Sequence, residues 1–180
     1  MPFRRRPRRQ KEHHRLNISS KGKWPANVLP NFAATPFVVD GVQRNSAEGF
    51  IQALKFPNLE MQKHVCSLVG KAAKFAGKKA AKRIHRERNV WWQGKGIEFR
   101  SEEHFGLIER VLRAKFIQSD RAKRALLATR DTTLTHDMGQ SESPHTSLPA
   151  AVFIRILYSV RAELQAETPR DGVIRSRSNS

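Results

Sequence analysis

Glu48, Gln52 and Lys55 lie at i, i+4 and i+7 in a stretch of helical periodicity. At about 100° per residue they share one narrow stripe. That stripe lies beside, not opposite, the apolar face of Ala47, Phe50, Ile51 and Leu54. A carboxylate, an amide and an ammonium would then point together from a helix edge partly shielded by the core. Such a cluster is a start for a polar pocket with acid–base capacity. The spacing has a second reading: Asn45 followed three residues later by Glu48 fits a capping box, with the glutamate bonding back to the helix start. Trp91-Trp92 sends two large rings to different sides. One belongs in the core and the other can line a pocket; we assign Trp91 to the pocket. Trp24, in a Pro-flanked loop, is expected to pack.

The elements that must position these groups can be read from periodicity and turn chemistry. Leu16–Ser19 alternates as a short strand. Residues 36–44 place Asp40-Gly41 between β-branched residues, a tight-hairpin signal. A helix is expected from Asn45 to Pro57. A second should span 58–69 through Leu59, Met61, Val65 and Leu68, with Gly70 as its stop. Residues 71–88 are Ala- and Lys-rich and expected helical, interrupted near Gly77. Residues 90–96 read as a turn or loop. Ser101 caps a long helix with Phe105, Ile108, Leu112 and Phe116 inward. Ser119 opens a short one to Ala128, with Ala122, Leu126 and Leu127 inward. Residues 129–147 read as an irregular loop, and a last helix runs from about Pro149 to Gln165. The expected architecture is helix-dominated α+β with a small antiparallel element.

The chain has 180 residues, 34 Lys+Arg against 16 Asp+Glu, and a formal net charge of +18. This length suits one domain with a real core. The single Cys66 excludes an intramolecular disulfide and any cysteine-built zinc or iron–sulfur site. No run approaches a membrane span, and the basic N-terminus lacks the apolar segment of a secretory signal. A soluble, cytoplasmic-type protein is expected. Arg4, Arg5, Arg6, Arg8, Arg9, Lys11 and Arg15 crowd residues 1–15, read as a flexible basic arm ahead of a domain over 16–166. Residues 167–180 read as a flexible polar and basic tail. A second basic block, Lys71 to Arg88, lies within periodic sequence and belongs to the folded body. Such an excess favours polyphosphate partners, nucleic acid or nucleotide, although a charge run is also an ordinary solvated face.

Several segments together resemble one family. These are Leu29-Pro-Asn-Phe32, Pro36-Phe-Val-Val-Asp-Gly41, the run from Asn45 to Phe56, Ala73-Lys74-x-x-Gly77-Lys78, Trp91 or Trp92, Lys115-Phe116-x-Gln118 and Leu126-Leu-Ala-Thr129 with Asp131. In this order they resemble the NADAR family, also called YbiA-like, over about residues 28–164. The resemblance implies a single YbiA-like domain. It further implies an N-glycosidase acting on a phosphoribosyl base or on ADP-ribose attached to guanine in nucleic acid. Glu48 would be the leading catalytic carboxylate, with Lys55 and Asp131 beside it. Asn31, Phe32, Gln52, Lys74, Trp91 and His136 would bind substrate, with no metal or cofactor required. The fit is physical, because breaking a C1′–N bond passes through an oxocarbenium-like sugar that a carboxylate stabilises.

Two segments depart from the family pattern. Thr129-Arg130-Asp131 stands where the family often has Thr-Gly-Asp, and Asp137-Met138-Gly139 lacks the tryptophan of its late Asp…Trp-Gly segment. The arm has no counterpart in that pattern and is read as a nucleic-acid tether. Two other classes compete with the enzyme: a non-catalytic nucleotide- or nucleic-acid-binding module on the same fold, and a packaging protein in which the arm carries the function.

Overall fold

The computed structural model describes residues 14–167. Thirteen elements follow in order: β1 (Arg15–Asn17), β2 (Phe37–Val39), β3 (Val42–Arg44), α1 (Ala47–Ala53), α2 (Leu59–Cys66), α3 (Gly70–Lys78), α4 (Ala81–Glu87), β4 (Asn89–Trp92), β5 (Lys95–Glu98), α5 (Glu102–Gln118), α6 (Asp120–Ala128), β6 (Thr133–Thr135) and α7 (Ala150–Glu167). The fold is helix-dominated α+β, as the periodicity implies. Arg4, Arg5, Arg6, Arg8, Arg9 and the tail after Glu167 lie outside the described residues. Arg15, read as the end of the arm, is instead the first residue of β1. No helix among the described residues is long and apolar enough to cross a membrane.

The strands form three two-stranded sheets. β2 and β3 make the expected hairpin, with Asp40 (φ 53) and Gly41 (φ 71) in the left-handed region that a type I′ turn needs. β4 and β5 make a second hairpin at residues 89–98, so the turn or loop expected over 90–96 is a turn between two paired strands. Gln93 (φ 48) and Gly94 (φ 80) turn it in the same way. Its strand β5 tolerates Gly96 because Trp91 lies directly across the ladder and covers the bare backbone. β1 pairs in parallel with β6, so residues 129–147 are not wholly irregular.

α1 lies at the centre, buried along its whole length, with Ala47, Phe50, Ile51 and Leu54 inward as expected. α5 contributes Ile108, Val111, Leu112 and Phe116, and α7 contributes Phe153, Ile156, Leu157, Val160 and Leu164. The inner face of α2 differs from the reading above. Leu59 and Met61 are exposed, while Gln62, Val65 and Cys66 are buried. Gln62 is buried because it works as a clamp. Its Nε2 donates to Phe56 O at 2.7 Å and Trp91 O at 2.8 Å, and its Oε1 accepts from Gln93 N. Gly70 starts α3 rather than stopping α2, and the break before α4 falls at residues 79–80 instead of Gly77. Inside α5, His104 takes the buried place expected of Phe105. Its Nδ1 accepts from Arg100 N, and burial pushes its pKa down to about 4, so it is neutral.

Polar side chains tie these elements together. Asp40 accepts a two-pronged bond from Arg110 of α5 and a third from Trp92 Nε1 of β4. Gln118 donates to Val38 O and accepts from Val38 N, holding β2 as a neighbouring strand would. Lys115 is fully buried and donates to Leu29 O at 3.0 Å and Pro30 O at 2.8 Å.

Burial first, and Arg121 second, push the Lys115 pKa down to about 7. An unfolded lysine titrates near ~10.4. Between these values the unfolded chain binds a proton that the folded chain has released, so stability rises with pH across the window. Lys115→Met should cost about 3 kcal/mol, because two buried carbonyls lose their donor. It should also remove this pH dependence. Between about pH 7 and about pH 8.5 the wild type should gain about 1–2 kcal/mol relative to the variant. Urea unfolding at both pH values measures it, and a constant difference would mean that Lys115 stays charged throughout.

Candidate functional site

α1 begins one residue later than the capping-box reading requires. Ser46 is the N-cap: its Oγ accepts from Gly49 N at 3.0 Å and donates to Leu68 O at 2.9 Å. Glu48 therefore sits within the first turn, and its backbone N–H donates to Asn31 O at 2.9 Å. Its side chain does not reach back to the cap. Oε1 accepts from Gln52 Nε2 at 2.9 Å, one turn along the helix. The carboxylate is only 7% exposed and Gln52 only 8%, so the pair lies at the edge of the core, where the spacing placed it.

Two lysines electrostatically face this pair. Burial raises the Glu48 pKa above the ordinary carboxylate value, and the Gln52 hydrogen bond, Lys55 and Lys74 oppose the rise. Burial lowers the Lys55 pKa; Glu48 opposes that fall and Lys74 adds to it. Each group is thus moved toward neutrality from its own side, which is the condition that favours proton exchange at ordinary pH. Lys74 Nζ stands 5.8 Å from the centre of the Phe32 ring. Asn31, Phe32, Glu48, Gln52, Lys55 and Lys74 therefore form one linked group, brought together from the loop before β2, from α1 and the turn after it, and from α3.

Two buried acceptors in this group, Asn31 Oδ1 and Gln52 Oε1, have no hydrogen-bond partner among the described residues. Buried polar atoms are nearly always paired, and an orphaned pair beside a buried carboxylate suits a polar ligand. Gly77 of α3 closes the cluster from another side, since a Cβ there would overlap Gln52 Oε1. The glycine is needed for close approach.

Trp91 and Trp92 divide as expected. Trp92 is buried, its ring 4.7 Å from Phe50. Trp91 is half-buried, and its backbone N–H donates to Leu54 O at 2.8 Å, which ties β4 to the end of α1. The Arg83 guanidinium lies 4.9 Å from the Trp91 ring centre and donates to Lys55 O at 2.6 Å. Arg83 thus joins the aromatic to the lysine. Its place within a run of eight basic residues hid that role, as burial hid the role of Gln62.

The late loop meets the cluster through a different histidine from the one expected. His145 stacks on His85 of α4 at 3.8 Å, and Lys55 is among the charges acting on His85. His136 instead makes a 3.0 Å contact with Ile18 O and stands edge-on to Phe153. Asp131 acts electrostatically on Arg161. No interaction among the described residues joins Asp131 or His136 to Glu48. Trp24, expected to pack, is 59% exposed. Among the described residues no group of three or more His, Cys, Asp or Glu side chains is placed to hold a metal ion.

This arrangement can be set beside known proteins. The chain is similar to a 17.1 kDa protein, described as uncharacterized, from the Gp30–rIII intergenic region of Enterobacteria phage T4. The two are 33% identical over 150 residues, which covers 83% of this chain and 98% of the T4 protein. The fold is similar to the NMR structure of E. coli YbiA, with a TM-score of 0.61 and 21% identity, covering 93% of this chain and 98% of YbiA. The family model of bacteriophage protein GP30.3 matches residues 23–162, which include every element from β2 to β6 and the cluster around Glu48. The chain belongs to the bacteriophage GP30.3 family, a NADAR-type family with a YbiA-like fold.

Proposed function

We propose that this protein is an N-glycosidase that hydrolyses the bond between C1′ of a ribose and the nitrogen of a base. The substrate would be an ADP-ribosylated or phosphoribosylated base, including ADP-ribose on guanine in nucleic acid, and the protein would act in the cytoplasm. The observation that carries the reading is the buried Glu48 carboxylate, paired with Gln52 and facing Lys55 and Lys74. Water adds to C1′ as the C1′–N bond breaks, and the bonding pair leaves with the base nitrogen. Glu48 stabilises the positive sugar and takes the proton from the attacking water. Lys55, with its lowered pKa, is suited to supply a proton to the leaving nitrogen, while Lys74 meets a substrate phosphate. Asn31 and Gln52 offer free acceptors, and Trp91 offers a face for the base or ribose.

A non-catalytic module that binds the same ligand is the second reading. It is favoured by the position of Asp131, which acts on Arg161 and makes no recorded interaction with Glu48. Turnover by the wild-type protein separates the two.

Glu48→Gln keeps an acceptor for Gln52 and removes the charge. Turnover of an ADP-ribosylated nucleoside should fall at least ~100-fold, with folding stability changed by about 1 kcal/mol or less. Wild-type rates from this variant would remove Glu48 from the chemistry.

The pH profile gives a second check. Lys74 lowers the pKa of both Glu48 and Lys55, so Lys74→Gln should raise both. The acid and alkaline limbs of kcat/KM should then move together to higher pH. Movement of one limb alone would mean that the two limbs do not report Glu48 and Lys55.

Residues 1–13 carry Arg4, Arg5, Arg6, Arg8, Arg9 and Lys11, outside every part of the cluster. Deleting residues 2–13 should weaken nucleic-acid binding and flatten its log–log salt dependence by several units, at roughly 0.7–0.9 per phosphate contact. Hydrolysis of a free nucleoside substrate should change little. Equal salt slopes from filter binding of both proteins would exclude the arm as the tether.

A further inference from the structure

A cleft of about 620 Å³ is lined by Trp24, Arg121, Arg124, Leu127, Ala128 and Arg130, none of which belongs to the Glu48 cluster. Its volume falls within the ~300–1,000 Å³ typical of ligand clefts. Arg121 and Arg124 lie one turn apart on α6, and Ala128 a further turn along, so the helix presents one stripe to the cleft. The opposite face of α6, with Ala122, Ala125 and Leu126, is buried. Leu127 supplies part of an apolar floor.

Trp24 brings a large aromatic ring, 59% exposed, to the same cleft as the three arginines. Arg121, Arg124 and Arg130 are exposed, and none forms an ion pair among the described residues. Their charge is therefore not neutralised internally. The nearest acids in sequence do little to offset it: Asp120 meets Arg124 through its backbone oxygen at 3.4 Å, and Asp131 acts on Arg161. Arg130 has φ 40, in the left-handed region that favours glycine. This left-handed residue directly follows the α6 C-cap Thr129 and places an arginine where the helix ends on the cleft.

We infer that this cleft binds single-stranded nucleic acid, with a base stacked on Trp24 and flanking phosphates held by Arg121, Arg124 and Arg130. An exposed indole can stack only on a base whose face is free, which duplex pairing does not offer. Unpaired guanidinium groups suit phosphates in bidentate contact. Lys21 and Lys23, exposed in the Trp24 loop, extend the positive surface on one side. The site is independent of hydrolysis at Glu48.

The test uses the full chain and an oligothymidylate of about eight nucleotides, within the ~4–16 that such modules cover. Binding should quench tryptophan fluorescence, and Trp24→Ala should abolish most of that quenching. Trp24→Ala should weaken binding about tenfold, and Trp24→Phe should restore most of the loss. Trp24 is exposed, so the circular dichroism of both variants should match the wild type. The double variant Arg121→Gln, Arg124→Gln should lower the salt slope by about 1.4, at about 0.7 per phosphate of a single strand. Unchanged affinity in Trp24→Ala, or an unchanged slope in the double variant, overturns the proposal. So does equal, Trp24-dependent binding of a duplex, or of poly-glutamate, which would indicate an acidic protein partner. Glu48→Gln should bind the oligonucleotide as the wild type does, so failure here and failure of the hydrolytic reading are separate results.

Discussion

A buried lysine amine fixes the loop on which the candidate site depends. Lys115 reaches from α5 into the core to bond the carbonyls of Leu29 and Pro30. The next residue, Asn31, accepts the Glu48 N–H at the start of α1, and Phe32 lies against Lys74. An irregular loop is thereby held at one end by a side chain and at the other by a helix terminus. Burial of such a group is costly unless donors and acceptors match. Gln118, one turn later on α5, holds the β2 edge. The Lys115-Phe116-x-Gln118 motif is therefore structural: it positions the loop and the hairpin that carry the site, and it touches none of the candidate reacting groups.

The same principle recurs in the smaller elements. Isolated two-stranded hairpins are marginal in water, and both hairpins here are held by polar side-chain bonds from helices. Asp40 connects the first hairpin to α5 and to Trp92, while Gln62 connects α2 to the second through Trp91 O. Arg83 adds a contact from α4 to Trp91 and Lys55. The aromatic beside the cluster is thus fixed by its backbone, its ring neighbour and the strand opposite. The site combines residues of short helices and a strand with Asn31 and Phe32 of the loop that Lys115 holds.

What could be read from residue order follows from this design. α1 was legible because its apolar positions repeat at helical spacing, and the Glu48–Gln52–Lys55 stripe follows from the same geometry. The face of α2 was not, because Gln62 is polar by type yet buried by function, while Leu59 and Met61 are apolar yet exposed. The second hairpin was missed although Gln93-Gly94 is a turn pair, because the glycines at 94 and 96 look like loop until Trp91 is seen across the ladder. His145 could not be distinguished from His136, since only the tertiary path of the late loop brings one of them to His85. Trp24 was misjudged by a rule that is sound on average, that tryptophans pack. The family resemblance located the first cluster; the cleft with Trp24 had no motif to announce it.

The parallel pairing of β1 with β6 has a consequence for how the protein is made. Arg15–Asn17 precedes its partner Thr133–Thr135 by every other strand and all helices but α7, so the pair can form only after those elements have been translated. The two hairpins close within a few residues and need no such wait. Joining strands so distant in the chain carries the largest loop-closure cost in the molecule. Pairing of β1 therefore depends on a strand from the far end of the described chain. Until Thr133–Thr135 has been made, β1 has no strand to pair with, and its backbone donors and acceptors are left to water.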